Sequence, residues 1–291
     1  MDNEFILQDR IQKIRQIVKK YGEDNFYISF SGGKDSNVLS KLVDLALPNN
    51  QIPRVYCDTG IEMITVRDFV KELAKTDSRV EVIKPKQNIK KMLDEEGYPF
   101  KSKQHSVYVA QYQRGQVMNC VEHYLGLSKN WSKRKTCPKI LRYQFEEGLP
   151  FKVSDKCCKR LKTDPLHKWQ RERDKPYGIL GLMHEENGRR ETAQCLAFKP
   201  NGKLKNFQPL VAVTKEWEQW FVDTYNVQLP IVYYPPYNLT RTGCVGCPFK
   251  IKLQQELDMY SELMPIERRR AEAIWKSVYD EYRRIGYRLK S

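Results

Sequence analysis

Residues 25–36 read Asn25-Phe26-Tyr27-Ile28-Ser29-Phe30-Ser31-Gly32-Gly33-Lys34-Asp35-Ser36, and they decide the fold. Asn25–Phe30 is an apolar run of strand type that ends directly in Ser31–Ser36. Asn37–Leu47 then carries Val38, Leu39, Leu42, Leu45 and Leu47 for the buried face of a helix. A strand, a glycine turn and a helix N-terminus together make an anion grip. Two glycines let the backbone curl so that its N–H groups converge on phosphate oxygens, and the helix dipole adds its positive end. Ser31 and Ser36 offer hydroxyl donors, Lys34 a point charge, and Asp35 a carboxylate that can orient magnesium or its waters. The loop is not of the Walker type, because the four residues that separate the first glycine from Gly-Lys there are missing, and it is unlike GxGxxG. A plain Gly-Gly turn has no need of the lysine, aspartate and serine.

Outward from the loop, the first hundred residues alternate helix and strand. Ile6, Ile11, Ile14, Ile17 and Val18 recur at helical spacing before Gly22. Arg54–Tyr56 and Val80–Ile83 read as strands, Glu62–Lys75 as a helix between them, and a further helix ends near Gly97. The pattern predicts a doubly wound, mostly parallel α/β sheet. It breaks over residues 101–150, which hold Tyr108, Tyr112, Trp131 and Tyr143 without a clear strand and read as a helical insertion. Tyr177–Met183 and Phe207–Val213 read as returning strands and Lys215–Tyr225 as a helix. Leu253–Leu263 and Ile266–Ile285 read as closing helices. The expected organisation is an α/β domain over 1–250 and a helical extension over 251–291.

At 291 residues the chain is ample for a real core. Mean hydropathy is −0.68 and no apolar run approaches membrane-spanning length, so no membrane span is expected. The N-terminal text lacks a signal-peptide pattern, which makes the cytoplasm the expected location. A formal charge of +15 predicts anionic ligands. Lys129–Lys175 carries 15 basic and 6 acidic residues with Trp131, Tyr143 and Trp169 interleaved, the composition of a nucleic-acid face.

Eight cysteines in a cytoplasmic setting point to metal or sulfur chemistry before disulfides. Cys157-Cys158 and Cys244-x-x-Cys247 stand out. Four thiolates suffice for a cubane iron–sulfur cluster, one per iron. An adjacent pair is awkward for one tetrahedral zinc, although zinc and a metal-free role stay open. Gly243 and Gly246 loosen the second knuckle, and Pro248 ends it. Cys57, Cys120, Cys137 and Cys195 read as small buried apolar residues, with Cys57 worth watching beside Asp58.

SGGKDS after an apolar strand resembles the pyrophosphate loop of the adenine-nucleotide α-hydrolases, the ATP pyrophosphatase superfamily. The resemblance implies ATP and Mg2+ as ligands, with Lys34 and Asp35 catalytic and Ser31, Gly32, Gly33 and Ser36 around the phosphates. Cys57-Asp58-Thr59-Gly60 with Glu62 and Phe69 resembles a segment of the phosphoadenosine phosphosulfate (PAPS) reductase branch. There it lies against the nucleotide, which implies binding roles for Asp58, Thr59 and Gly60. Gly181–Thr192, with Arg189 and Arg190, is similar to a phosphate-contacting segment of the family. The text from Cys157 to Leu166 resembles the reductases' cysteine-pair segment. A cysteine pair with a distant CxxC also resembles the DNA-phosphorothioation sulfur-transfer enzymes, which implies a 4Fe-4S cluster on Cys157, Cys158, Cys244 and Cys247.

Three activities follow from these resemblances. An ATP-dependent sulfur transferase uses Lys34 and Asp35 on a magnesium triphosphate, with DNA or tRNA as candidate acceptors and a cysteine desulfurase as candidate sulfur donor. A PAPS or adenylyl sulfate reductase uses a C-terminal cysteine, whereas no cysteine follows Cys247 in this sequence. A non-catalytic nucleotide-binding regulator is the third. The first is favoured, because the reductases' loops typically lack the Lys-Asp pair.

Overall fold

The computed structural model describes residues 2–116, 118–128, 136–146, 149–186 and 192–290. The chain forms two compact units, Met1–Asp58 with Glu62–Lys84 and Pro165–Gly243, and Thr59–Ile61 with Pro85–Asp164 and Cys244–Ser291. This division cuts across the boundary expected at residue 250. The 101–150 insertion and the closing helices fall in the same unit, together with the cysteine knuckle that precedes those helices.

The first unit is an α/β sheet. Its strands are β1 (Phe26–Phe30), β2 (Arg54–Cys57), β3 (Val80–Ile83), β4 (Tyr177–Ile179), β5 (Leu196–Phe198) and β6 (Leu204–Phe207). They are ordered β3-β2-β1-β4-β6-β5, and only β5 runs antiparallel to its neighbour. The helices are α1 (Asn3–Tyr21), α2 (Lys34–Ala46), α3 (Ile64–Thr76), α7 (Asp164–Glu172, joined at its first residue to the second unit) and α8 (Lys215–Thr224). Asp2 caps α1 by accepting from the Glu4 amide at 3.1 Å, and Gly22, at φ 80°, ends it. Leu7, Ile11, Ile14, Ile17 and Val18 face the core at helical spacing, against Phe26, Ile28, Leu39 and Leu42. Buried on both faces, β1 has no polar–apolar alternation, as a central parallel strand requires. Strands β2 and β3 extend the sheet to one side of β1 and β4 and β6 to the other, so the order reverses at β1 and β4. A sheet of this kind binds ligands at such a switch point, beyond the carboxyl ends of its strands.

One expected strand is corrected. Phe207 ends β6, and residues 208–213 form turns rather than a strand. Leu210, Val211 and Val213 are buried there, so an apolar loop packed in the core carries the signature of a strand.

The second unit holds α4 (Ile89–Glu96), α5 (Lys103–Gln113), α6 (Asn119–Leu125), α9 (Leu253–Leu263) and α10 (Pro265–Arg284). Its insertion is helical, with no strand among the described residues of 101–150. A buried chain of hydrogen bonds runs through it. The Tyr143 hydroxyl donates to the Glu281 carboxylate, and Gln144 Nε2 donates to the Tyr143 oxygen at 3.2 Å. The Gln144 oxygen therefore faces His105 Nε2 as an acceptor at 2.8 Å. That contact puts the imidazole proton on Nε2 and leaves Nδ1 to accept from the Tyr124 hydroxyl at 2.9 Å, while Lys101 Nζ donates to the Tyr124 oxygen at 3.3 Å.

Burial pushes the His105 pKa down to about 4, and Lys101 and Arg288 also oppose its charge. The unfolded chain binds a proton at its ordinary value near 6.5 while the folded chain refuses it until pH 4. This contribution to stability is therefore complete above pH 6.5 and is lost as pH falls towards 4. Its full size is about 3 kcal/mol, with about 2 kcal/mol gone by pH 5. Urea titrations at pH 7 and pH 5 should show that loss in the wild type, and His105→Gln should lose about that much less between the two.

Candidate active site

The Ser31–Ser36 loop leaves the carboxyl end of β1 at the switch point. Gly32 has φ 72°, and a Cβ there would stand 2.5 Å from Val70 Cγ2 and 3.1 Å from Val66 Cγ1. Only glycine satisfies both the turn and the closeness of α3. Gly33 has ordinary extended backbone, φ −80° and ψ 170°, and its constraint is a roof. A Cβ there would meet Thr242 Oγ1 at 2.9 Å and the Tyr233 hydroxyl at 3.2 Å. The Lys34 N–H, at the start of α2, donates to the Tyr233 hydroxyl at 2.9 Å, and that hydroxyl is 3.0 Å from Thr242 Oγ1.

Hydrogen bonds inside the loop set its shape. Ser31 Oγ accepts from the Gly33 amide and donates to Ser36 Oγ, which donates to the Gly33 carbonyl at 2.8 Å. Both serines thus shape the loop with the hydroxyl protons expected to serve a ligand. Asn37, missed in the sequence, completes the curl by donating to the Gly32 and Gly33 carbonyls at 3.0 and 2.9 Å. Lys34 Nζ donates to Gln219 Oε1 at 3.1 Å and lies 5.9 Å over the Tyr233 ring. A cleft of about 540 Å³ opens there, lined by Lys34, Gln219, Asp223, Gln228, Tyr233 and Tyr234. Beyond β4, Gly181 lies so close to α2 that a Cβ would stand 2.9 Å from the Asp35 carbonyl oxygen.

Asp58 follows β2; its amide donates to the Ile83 carbonyl at 2.8 Å and its carboxylate is 3.9 Å from Lys71 Nζ. Asp58 belongs to the first unit, whereas Thr59, which is buried, and Gly60, which is exposed and at φ 77°, belong to the second. Arg189 and Arg190 lie outside the described residues.

The second unit brings its two cysteine segments together. Cys157 and Cys158 sulfurs are 4.0 Å apart at the start of a helix whose next turn, Lys159–Thr163, is π-helical. The Cys157 thiol donates to Cys158, which raises the Cys157 pKa; burial and the nearby Cys158, Cys247 and Cys244 raise it further. The same hydrogen bond lets Cys158 ionise below the usual thiol range. Burial and Cys244 push Cys247 up to about 12. Thiols that oppose one another's ionisation in this way can all be thiolates only around a positive centre, so the donor set fits a thiolate-bound metal group. Among the described residues no three His, Cys, Asp or Glu side chains are drawn together tightly enough to hold a single ion.

The Cys244–Cys247 knuckle is held by α9 and α10. Trp275 Nε1 donates to the Val245 carbonyl at 2.8 Å, Tyr279 to the Gly246 carbonyl, and Tyr282 to the Pro248 carbonyl at 3.0 Å. Gly246 has φ 55°, and a Cβ there would overlap the Tyr279 hydroxyl and Ala271 Cβ, 2.6 Å away. On the other segment, Glu96 pairs with Lys156 at 2.5 Å and with Arg160 at 2.6 Å. Of the remaining cysteines, Cys137 is buried and its pKa is pushed up to about 11 by that burial, as suits an inert packing residue.

Residues 25–130 match the family model of the phosphoadenosine phosphosulfate reductase domain. Over this third of the chain the sequence is similar to that domain. The sheet is six-stranded and mostly parallel, with extra helices. An uncharacterised protein of Methanocaldococcus jannaschii is 39% identical over 105 residues, 32% of this chain and 25% of that protein. The glutamine-hydrolysing GMP synthase of Thermosipho africanus is 37% identical over 73 residues, 25% of this chain and 14% of its own. The chain thus spans a quarter or less of the curated relatives it matches. Among solved structures, the PAPS reductase of Candida auris in its phosphate complex is similar at 10% identity and a TM-score of 0.45, covering 81% of this chain and 95% of its own. The U34-tRNA thiolase NcsA of Methanococcus maripaludis, with its 4Fe-4S cluster, is similar at 13% identity and a TM-score of 0.39, covering 100% and 82%.

The PAPS reductase-like match ends at residue 130, at the start of the basic stretch. Much of that stretch is neutralised locally. Lys156, Lys159, Arg160, Lys168 and Arg173 all have carboxylate partners. Trp169 is not exposed for base stacking: it is buried and donates from Nε1 to Glu81 at 2.8 Å. The Tyr143 hydroxyl is taken by Glu281. Trp131 and the basic Lys129, Lys133, Arg134 and Lys135 lie outside the described residues.

Proposed function

We propose that the chain is an ATP-dependent adenylating sulfur transferase. An acceptor oxygen attacks the α-phosphorus of ATP, the bond to the β-phosphate oxygen breaks, and pyrophosphate leaves. A sulfur nucleophile then attacks the activated acceptor atom, and AMP departs with the acceptor's former oxygen. The observation that carries this reading is the Ser31–Ser36 loop at the switch point, with Lys34 and Asp35 beginning a helix. Gly32, Gly33 and the amides that follow hold the outer phosphates, Lys34 neutralises them, and Asp35 orients magnesium. A sulfonucleotide without β- and γ-phosphates gives that lysine and aspartate much less to hold.

Cys157, Cys158, Cys244 and Cys247 would hold a 4Fe-4S cluster. Such a group supplies either a covalent brace or one-electron chemistry. The protein's own part is to present four thiolates and to fix the knuckle through Trp275, Tyr279 and Tyr282. The acceptor class is left to the assay, with nucleic acid as one candidate and a sulfur-donor protein such as a cysteine desulfurase as a candidate partner. The match of residues 25–130 favours a second reading, reduction of PAPS or adenylyl sulfate to sulfite. Purified protein with ATP and candidate acceptors should release pyrophosphate only when an acceptor is present. Sulfite release from PAPS without ATP would establish the reductase instead.

A further inference from the structure

Tyr233 has no place in the phosphate-loop motif, since 199 residues separate it from Lys34, yet its hydroxyl meets the loop where a ligand would. A main-chain N–H at the start of α2 is the donor such a loop offers to a phosphate oxygen. Here the Lys34 N–H donates to the Tyr233 oxygen at 2.9 Å, a well-formed hydrogen bond. Thr242 Oγ1, 3.0 Å from the same phenol, gives it a second partner. The same ring lies 5.9 Å under Lys34 Nζ, whose ammonium donates to Gln219. One side chain thus bears on both cationic elements of the loop, the amide and the lysine.

Resting on the reading of Ser31–Ser36 as a nucleotide loop, we infer that Tyr233 is a specificity-determining residue of that site, whose hydroxyl competes with phosphate oxygen for the Lys34 amide. The competition favours charged ligands. A hydrogen bond to an oxyanion is roughly twice as strong as one to a neutral oxygen. A phosphate therefore displaces the phenol, whereas a hydroxyl, a carbonyl or water gains nothing by doing so. Displacement leaves the phenol with Thr242 and shifts the ring beneath Lys34, so the event that frees the amide also releases the ammonium towards the phosphates. A neutral nucleoside triggers neither.

The test is calorimetry of the full chain with inorganic pyrophosphate, ATP and adenosine, in the wild type and in Tyr233→Phe. The phenylalanine variant keeps the ring and removes the competitor. Its affinity for pyrophosphate and ATP should rise by about 3–10-fold, the worth of one hydrogen bond, while its response to adenosine stays as in the wild type. Hydrogen exchange at the Lys34 amide should be faster in the variant and equal in the two proteins under saturating pyrophosphate, a change that a purely structural role would not produce. Should Tyr233→Phe fail to fold, the wild type still decides: labelled Tyr233 ring signals must shift on pyrophosphate and stay put on adenosine. If pyrophosphate binds and shifts the Gly32 and Gly33 amides while the Tyr233 signals stay put, or the variant binds it no more tightly, the competition is overturned and the loop reading stands. If the wild type binds neither pyrophosphate nor ATP, both fall.

Discussion

Gly32→Val should yield a protein that binds neither ATP nor pyrophosphate and unfolds at markedly lower urea than the wild type. Two costs coincide at this residue. The backbone is left-handed, at about 1–2 kcal/mol for a residue with a Cβ, and overpacking of a filled site costs about 1–3 kcal/mol. The clash is with Val70 and Val66, both buried in α3, so little can yield. Gly33 behaves differently. Its backbone suits any residue, and its neighbours are the Tyr233 and Thr242 hydroxyls. Gly33→Ala should therefore keep the fold and lose at least about tenfold in ATP affinity, because the new methyl stands in the phosphate's approach and 1.4 kcal/mol suffices for that factor. Lys34→Ala should weaken ATP more than AMP, since its charge serves the outer phosphates. Calorimetry and urea titration on the three variants decide the matter; undiminished ATP affinity in Gly32→Val would remove the loop from the site.

The second large effect concerns the thiols. Anaerobically prepared protein should be brown and contain about four irons and four sulfides per chain. Serine at Cys157, Cys158, Cys244 or Cys247 should each strip most of that iron, whereas serine at Cys120 or Cys195 should not. Gly246→Ala should act like a cysteine variant without touching a thiol, because its Cβ would collide with Tyr279 and Ala271 and displace the knuckle. Metal analysis with acid-labile sulfide is the measurement. Stoichiometric zinc without sulfide would replace the cluster by a single ion.

Local signals account for what the sequence made legible. The bounds of α9 and β3 agree with their periodicity and composition, and Gly97 stops α4. The glycine loop announces itself because strand, turn and helix are contiguous. What was not legible is non-local or contradicts its own pattern. Strand β5 is three residues long and half exposed, too short for an alternation to register. Residues 208–213 are apolar because they are buried, not because they are extended. Tyr233, Thr242 and the knuckle supports Trp275, Tyr279 and Tyr282 act through contacts between distant parts of the chain, and Gly246, which reads as loosening the knuckle, is crowded by Tyr279 and Ala271. Trp169 looked like a stacking residue because its neighbours are charged, yet its indole packs against Tyr27 with ring centroids 5.5 Å apart.

The path of the chain through its two units bears on the order of assembly during synthesis. About 85 residues separate Cys158 from Cys244, and they include β4, β5, β6 and α8. At 5–20 residues per second, the ribosome needs roughly 4–17 s to pass from the first thiol pair to the second. Any group held by all four thiols is therefore captured after the last strand of the sheet has been made. Half of the sheet would then lie inside the loop that such a group closes, and its loss would reopen a long segment rather than a local turn. Closing a loop of that length removes more disorder from the unfolded chain than a short one does, so on the proposed cluster reading iron starvation should act as a folding defect before it acts as a catalytic one.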